Sequence, residues 1–78
     1  MMKEFIECVA KFLVDHPEDV SVEESITEEQ KHLLTLKVNK DDIGKVIGRQ
    51  GKNIQAIRTL LSAVSSKERK RAILNIMD

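Results

Sequence analysis

The sequence predicts an α+β domain with the element order α-β-β-α-α-β. Three observations predict it. The first stretch repeats its apolar residues at helical spacing and stops before a proline. Two stretches of alternating apolar residues follow, joined by a short polar break. Two further helical stretches then flank Gly48-Arg49-Gln50-Gly51, and a short apolar run comes last.

The elements follow in order. Phe5, Val9, Phe12 and Leu13 recur at i, i+4, i+7 and i+8, with Ile6 and Ala10 beside them. This is an amphipathic helix, with Phe5, Val9 and Phe12 expected in the core. The residue before a proline is pushed out of the helical region, so Pro17 ends this helix near Asp15. Val20, Val22 and Ile26 fall on one face of an extended segment, Glu24 being the exception. Thr27-Glu28-Glu29-Gln30 is a polar break. His32 to Val38 then alternates, with Leu34, Leu36 and Val38 inward and Thr35 and Lys37 outward. The pair reads as a hairpin. Asn39-Lys40-Asp41-Asp42 closes the second strand, and Asp41 or Asp42 caps a short helix carrying Ile43, Val46 and Ile47. A longer helix starts at about Lys52, with Ile54, Ile57, Leu61 and Val64 on one stripe and Leu60 flanking it. Ala72 to Met77 is short and apolar, as a strand should be.

The 78 residues suit one small domain, 1–78, with a modest core. At 41% hydrophobic and 33% charged residues the composition is that of a soluble globular protein. No apolar run approaches the ~20 residues a bilayer span needs, and the acid-containing N-terminus does not read as a signal peptide. Cys8 is the one cysteine, so no internal disulfide forms, which fits a reducing cytoplasm. The zero net charge hides a polarity. Residues 1–30 carry two Lys against nine acids, a balance of −7, and residues 31–78 carry eleven bases against four acids, a balance of +7. From Ile43 to Arg71 there are eight bases and one acid, Glu68. Such a block either directs a field at a polyanion or is a solvated face.

The informative stretch runs from Ile43 to Ile54. Glycine at both ends of Gly48-Arg49-Gln50-Gly51 removes Cβ atoms where the chain turns sharply and where a ligand can approach the backbone. The helix that follows points its free N–H groups at the loop, and Lys45 and Lys52 flank it. An anion is well placed there. A Walker loop is excluded, since Gly51-Lys52 is followed by Asn53 and only two residues separate the glycines. Gly-x-x-Gly alone is a weak signal, because many tight helix–helix turns contain two glycines.

Ile47-Gly48-Arg49-Gln50-Gly51-Lys52-Asn53-Ile54 resembles the Ile-Gly-x-x-Gly-x-x-Ile signature of KH domains. The helix and strand that precede the core motif are similar to the type II, prokaryotic arrangement. Nearly end to end, the chain resembles the KhpA (YlqC) family of small bacterial single-KH proteins. Asp15-His16-Pro17 after the first helix, the Gly44-Lys45-Val46-Ile47-Gly48 run and Gln55-Ala56-Ile57-Arg58 all look like that family. The resemblance implies a type II KH fold, a three-stranded sheet covered by helices on one side. It implies a clamp on the backbone of about four single-stranded nucleotides. Gly48 and Gly51 would permit close approach, Arg49 and Lys52 would contact phosphate, and Gln50 would hydrogen-bond. Gly44 and Lys45 would belong to the same RNA-binding surface. Ile43, Val46, Ile47 and Ile54, with part of the second strand, would form an apolar groove under the bases. It further implies an RNA chaperone or post-transcriptional regulator acting in the cytoplasm with a KhpB (Jag)-type partner, linked to cell shape and cell-wall synthesis. A homodimer is the other assembly it allows.

No other feature competes. His16 and His32 have no companion ligands at metal spacing, so no metal or cofactor is expected. Cys8 reads as a packed thiol. Glu23-Glu24 and Glu28-Glu29 read as solvated charge beside a turn. Two Phe are the only aromatics, so stacking contributes little to binding single strands. Lys67, Arg69, Lys70 and Arg71 either extend an RNA path or solubilise a turn. An enzyme has no supporting constellation. The alternative to RNA binding is a protein-interaction subunit, whose KH face docks another KH protein while the partner holds RNA.

Overall fold

The computed structural model describes residues 2–77. The elements are α1 (Met2–Leu13), β1 (Ser21–Ile26), β2 (Lys31–Lys37), α2 (Ile43–Ile47), α3 (Lys52–Lys67) and β3 (Arg71–Met77). Short 3-10 turns at Pro17–Asp19, Lys40–Asp42 and Arg49–Gly51 join them. The order is the expected α-β-β-α-α-β.

The sheet order is β1-β2-β3. β1 and β2 pair antiparallel, with Val22 opposite Leu36 and Glu24 opposite Leu34. β2 and β3 pair parallel, with Leu34 opposite Leu74 and Leu36 opposite Ile76. A parallel pair cannot be closed by a tight turn, and α2 and α3 supply the crossover. One face of the sheet is buried through Val22, Leu34, Leu36 and Leu74. The opposite face carries Glu23, Thr35, Asn75 and the exposed Ile73. The helices therefore lie on one side, in an α+β fold of the KH kind.

Two apolar assignments are corrected. The buried line of α1 is Met2, Ile6 and Ala10, continued by Val14 beyond the helix end. Phe5 and Val9 pack half-buried beside it, whereas Phe12 is 85% exposed. At about 100° per residue, Phe12 lies roughly 120° or more round the helix from Ile6 and Ala10. Ile26 ends the edge strand beside the hairpin turn and is also exposed. Glu24, the exception in the β1 pattern, has a partner: its Oε2 lies 2.7 Å from His32 Nδ1.

The cap before α2 is also not as expected. Asn39 caps the preceding 3-10 turn, its Oδ1 accepting from the Asp41 N–H at 2.9 Å. Asp42 makes no side-chain cap. Its carboxylate is only 1% exposed and turns toward the segment after α1. There it accepts from the Asp15 N–H at 3.2 Å and the His16 N–H at 3.0 Å, and it lies 3.0 Å from His16 Nδ1. Burial raises the Asp42 pKa, but the two backbone N–H groups and the imidazole outweigh it and hold the carboxyl below its ordinary value. The same hydrogen bond raises His16 above the ordinary imidazole value, against desolvation.

Candidate nucleic-acid interface

The candidate site is the turn between α2 and α3, and its shape follows from three backbone conformations. Gly48 sits at φ 77, ψ 171, a region almost closed to residues with a Cβ. A Cβ there would also lie 2.7 Å from Asn53 Cγ and 2.9 Å from the Asn53 backbone nitrogen. Gly51 is left-handed at φ 74, with open room around it, the nearest atom being Ile54 Cγ2 at 3.8 Å. Between them Gln50 is left-handed as well, at φ 57 and ψ 27. Gly48 is therefore required by both angle and space, and Gly51 by angle alone.

Internal hydrogen bonds fix this shape. The Gly48 N–H donates to the Gly44 carbonyl at 2.8 Å and the Gly51 N–H to the Gly48 carbonyl at 3.1 Å. Asn53 Nδ2 donates to the Lys45 carbonyl at 2.8 Å, which ties the first turn of α3 to α2. Sequence reasoning passed over Asn53. Its signal was a poor helix former in the first turn of a helix, directly after the loop.

The expected site residues differ in how far they are exposed. Arg49, Gln50 and Lys52 are exposed, and among the described residues neither cation has a carboxylate partner. Gly44 is exposed on α2, with open space where a Cβ would stand. Ile47 is 36% exposed and Ile43 half-buried, so both can offer apolar surface near the loop. Val46 and Ile54, by contrast, are core residues, at 0% and 7% exposure. Their contribution is to seat the two helices.

Lys45 occupies an unexpected position. It pairs with Asp15 and lies 3.7 Å from Asp42 Oδ1. Asp15 leads the upward shift of the Lys45 pKa, with Asp42 assisting and burial opposing. A phosphate must therefore compete with two acids for this lysine, whereas Arg49 and Lys52 are uncommitted. Asp15, His16 and Asp42 thus brace α2 and the loop from behind.

Comparison with known proteins places the chain in a family. The family model described as KhpA/KhpB, KH domain, matches residues 3–76. The chain is 50% identical over 76 residues to the RNA-binding protein KhpA of Clostridium perfringens, covering 97% of this chain and all of that protein. It is 46% identical over 77 residues to the RNA-binding protein KhpA of Chlamydia pneumoniae, covering 99% of this chain and 97% of that one. It is 48% identical over 79 residues to the RNA-binding protein KhpA of Listeria monocytogenes, covering 99% of this chain and all of that one. No solved structure matches the chain. The match spans the sheet, the helices and the glycine loop together, and the chain belongs to the KhpA/KhpB family of KH domains, which are not enzymes.

Proposed function

We propose that the chain binds single-stranded RNA at the turn between α2 and α3. One observation carries the reading: two exposed polar residues, one an uncommitted arginine, stand between glycines on a loop whose shape is fixed from within. Relatives that match nearly all of the chain are named RNA-binding proteins. Arg49 and Lys52 meet phosphate, Gln50 hydrogen-bonds, and Gly44, Gly48 and Gly51 admit the strand. Ile43 and Ile47 lie beside the bases. The pKa and pairing of Lys45 give it a supporting part, and Ile54 acts from the core. In this reading the protein is a cytoplasmic RNA chaperone or regulator that works with a KhpB (Jag)-type KH partner, in processes of cell shape and cell-wall synthesis.

Replacing Arg49 and Gln50 with Asp tests the site. Aspartate tolerates the left-handed angle of Gln50 better than most residues, and the positions are exposed, so stability should change by under ~0.5 kcal/mol. Binding should weaken by at least ~2 kcal/mol, more than tenfold, as attraction to phosphate becomes repulsion. Lys3 and Lys11 to Asp on α1 is the control, since it changes charge by more but away from the loop. Fluorescently labelled RNA reports binding by anisotropy, and circular dichroism reports folding. A folded loop variant that binds RNA like the native protein sinks the clamp.

A second reading has its own observation. Leu60 on α3 and Ile73 and Met77 on β3 are large, apolar and half-exposed. They suit a docked protein, and in that reading Leu60→Ser with Ile73→Ser releases the partner while the loop variant keeps it.

A further inference from the structure

The far end of α3 carries a second concentration of positive charge. At about 1.5 Å per residue, α3 runs roughly 24 Å from the glycine loop before it ends. The chain then turns through Glu68, Arg69 and Lys70 into β3. Arg69 is left-handed, at φ 59. Its N–H donates to the Ser66 carbonyl at 3.0 Å, and the Lys70 N–H donates to the Ser65 carbonyl at 2.8 Å. Helices usually close at this position with glycine. An arginine here carries a conformational cost that glycine would avoid.

Two depressions meet across Arg69, Lys70 and Arg71. The larger, about 600 Å³, reaches Ser62 and Ser66 on α3 and Ile73 on β3. The smaller, about 450 Å³, extends toward the hairpin turn. Pairing leaves part of the charge free. Lys31 is 3.1 Å from Glu29, and Lys70 is 3.7 Å from Glu68. Among the described residues Lys67, Arg69 and Arg71 have no carboxylate in ion-pair range. At the glycine loop, among the described residues, Arg49 and Lys52 remain free, while Lys45 is held by acids. The α3 C-terminus accounts for a cation in its last turn, Lys67. It does not account for an arginine in a left-handed residue, or for Arg71 at the start of a strand.

We infer that the pocket at the α3–β3 turn binds backbone phosphates of the same RNA strand that lies on the glycine loop. The chain then holds RNA at two places. Guanidinium forks and serine hydroxyls suit phosphate oxygens, and such contacts position a strand without reading its sequence. A third depression, of about 340 Å³, lies between Arg58 and Leu74 and shares Ala72 and Ile73 with the larger pocket. It gives the strand a trough along the α3–β3 seam.

The inference rests on the RNA-binding reading, and the test separates the two. The full chain is titrated with labelled oligouridine of about five nucleotides, near the span a glycine loop clamps, and with about twenty nucleotides, over a range of salt. Three proteins are compared: native, Arg69→Gly with Arg71→Gln, and Arg49→Asp with Gln50→Asp. The Arg69→Gly change removes the strained angle, so the thermal midpoint should hold or rise and lost binding cannot be blamed on unfolding. Affinity of this variant for the long RNA should fall at least fivefold. Its salt slope should flatten by about 1.4, for two phosphates at roughly 0.7 each. Affinity for the short RNA should stay as it was. Unchanged affinity and slope on the long RNA overturn the second site. Equal losses on short and long RNA overturn it too, since a diffuse field would act that way. If the loop variant keeps its grip on the short RNA, the failure belongs to the clamp.

Discussion

Gly48 and Gly51 look equivalent in the sequence and are not equivalent in the structure. Gly48→Ala adds a Cβ into Asn53 in a glycine-only backbone region, and such strain alone costs about 1–3 kcal/mol. Gly51→Ala meets open space, so only the left-handed penalty of about 1–2 kcal/mol applies. Urea titrations should therefore show the Gly48 variant to be the less stable; equal midpoints would mean that the Asn53 contact yields freely. That this loop turns sharply was legible, because two glycines with two polar residues between them mark a turn. The roles of Asn53 and Asp42 were not. Each depends on how one helix crosses another segment, which residue type and spacing do not encode. The Lys45 pairing was hidden for the same reason, since Asp15 lies thirty residues away in the chain.

At the scale of elements, helix and strand identities were legible and the phase of α1 was not. Met2, Phe5, Ile6, Val9, Ala10, Phe12 and Leu13 are all apolar, and together they cover more of the helix than one sheet can contact. Period alone finds the stripe, and the sheet then chooses its centre. The choice falls on Ile6 and Ala10. Ile6→Ala should cost about 2–5 kcal/mol, the range for emptying a packed aliphatic site. Phe12→Ser should stay within about 0.5 kcal/mol, as exposed substitutions do. Chemical denaturation of the two variants checks the contrast. A large loss from Phe12→Ser in the isolated chain would show that this ring is covered.

For the whole molecule, the polarity between an acidic first part and a basic second part was legible, but which charges remain free was not. Asp42 and His16 join the two parts, linking the end of α1 to the start of α2. His16 has a raised pKa, so its contribution is complete below the ordinary value of 6.5 and is lost as pH rises through the folded value. Asp42 has a lowered pKa, so its contribution is present above the ordinary 3.8 and is lost as pH falls through the folded value. The latch is thus complete between 3.8 and 6.5 and weakens on either side. Thermal midpoints measured across pH should decline on the alkaline side, and His16→Asn should flatten that limb. An alkaline limb unchanged in the variant would assign it to other groups.

The loop held by Gly44, Gly48 and Asn53 takes its shape from hydrogen bonds within the fold itself. Ordering a residue costs about 1–2 kcal/mol, and here that cost falls on folding rather than on capture. Under the proposed clamp, a strand engages without waiting for the protein to rearrange, and so exposed a seat makes for short residence. Any lasting occupancy then has to come from a second point of attachment.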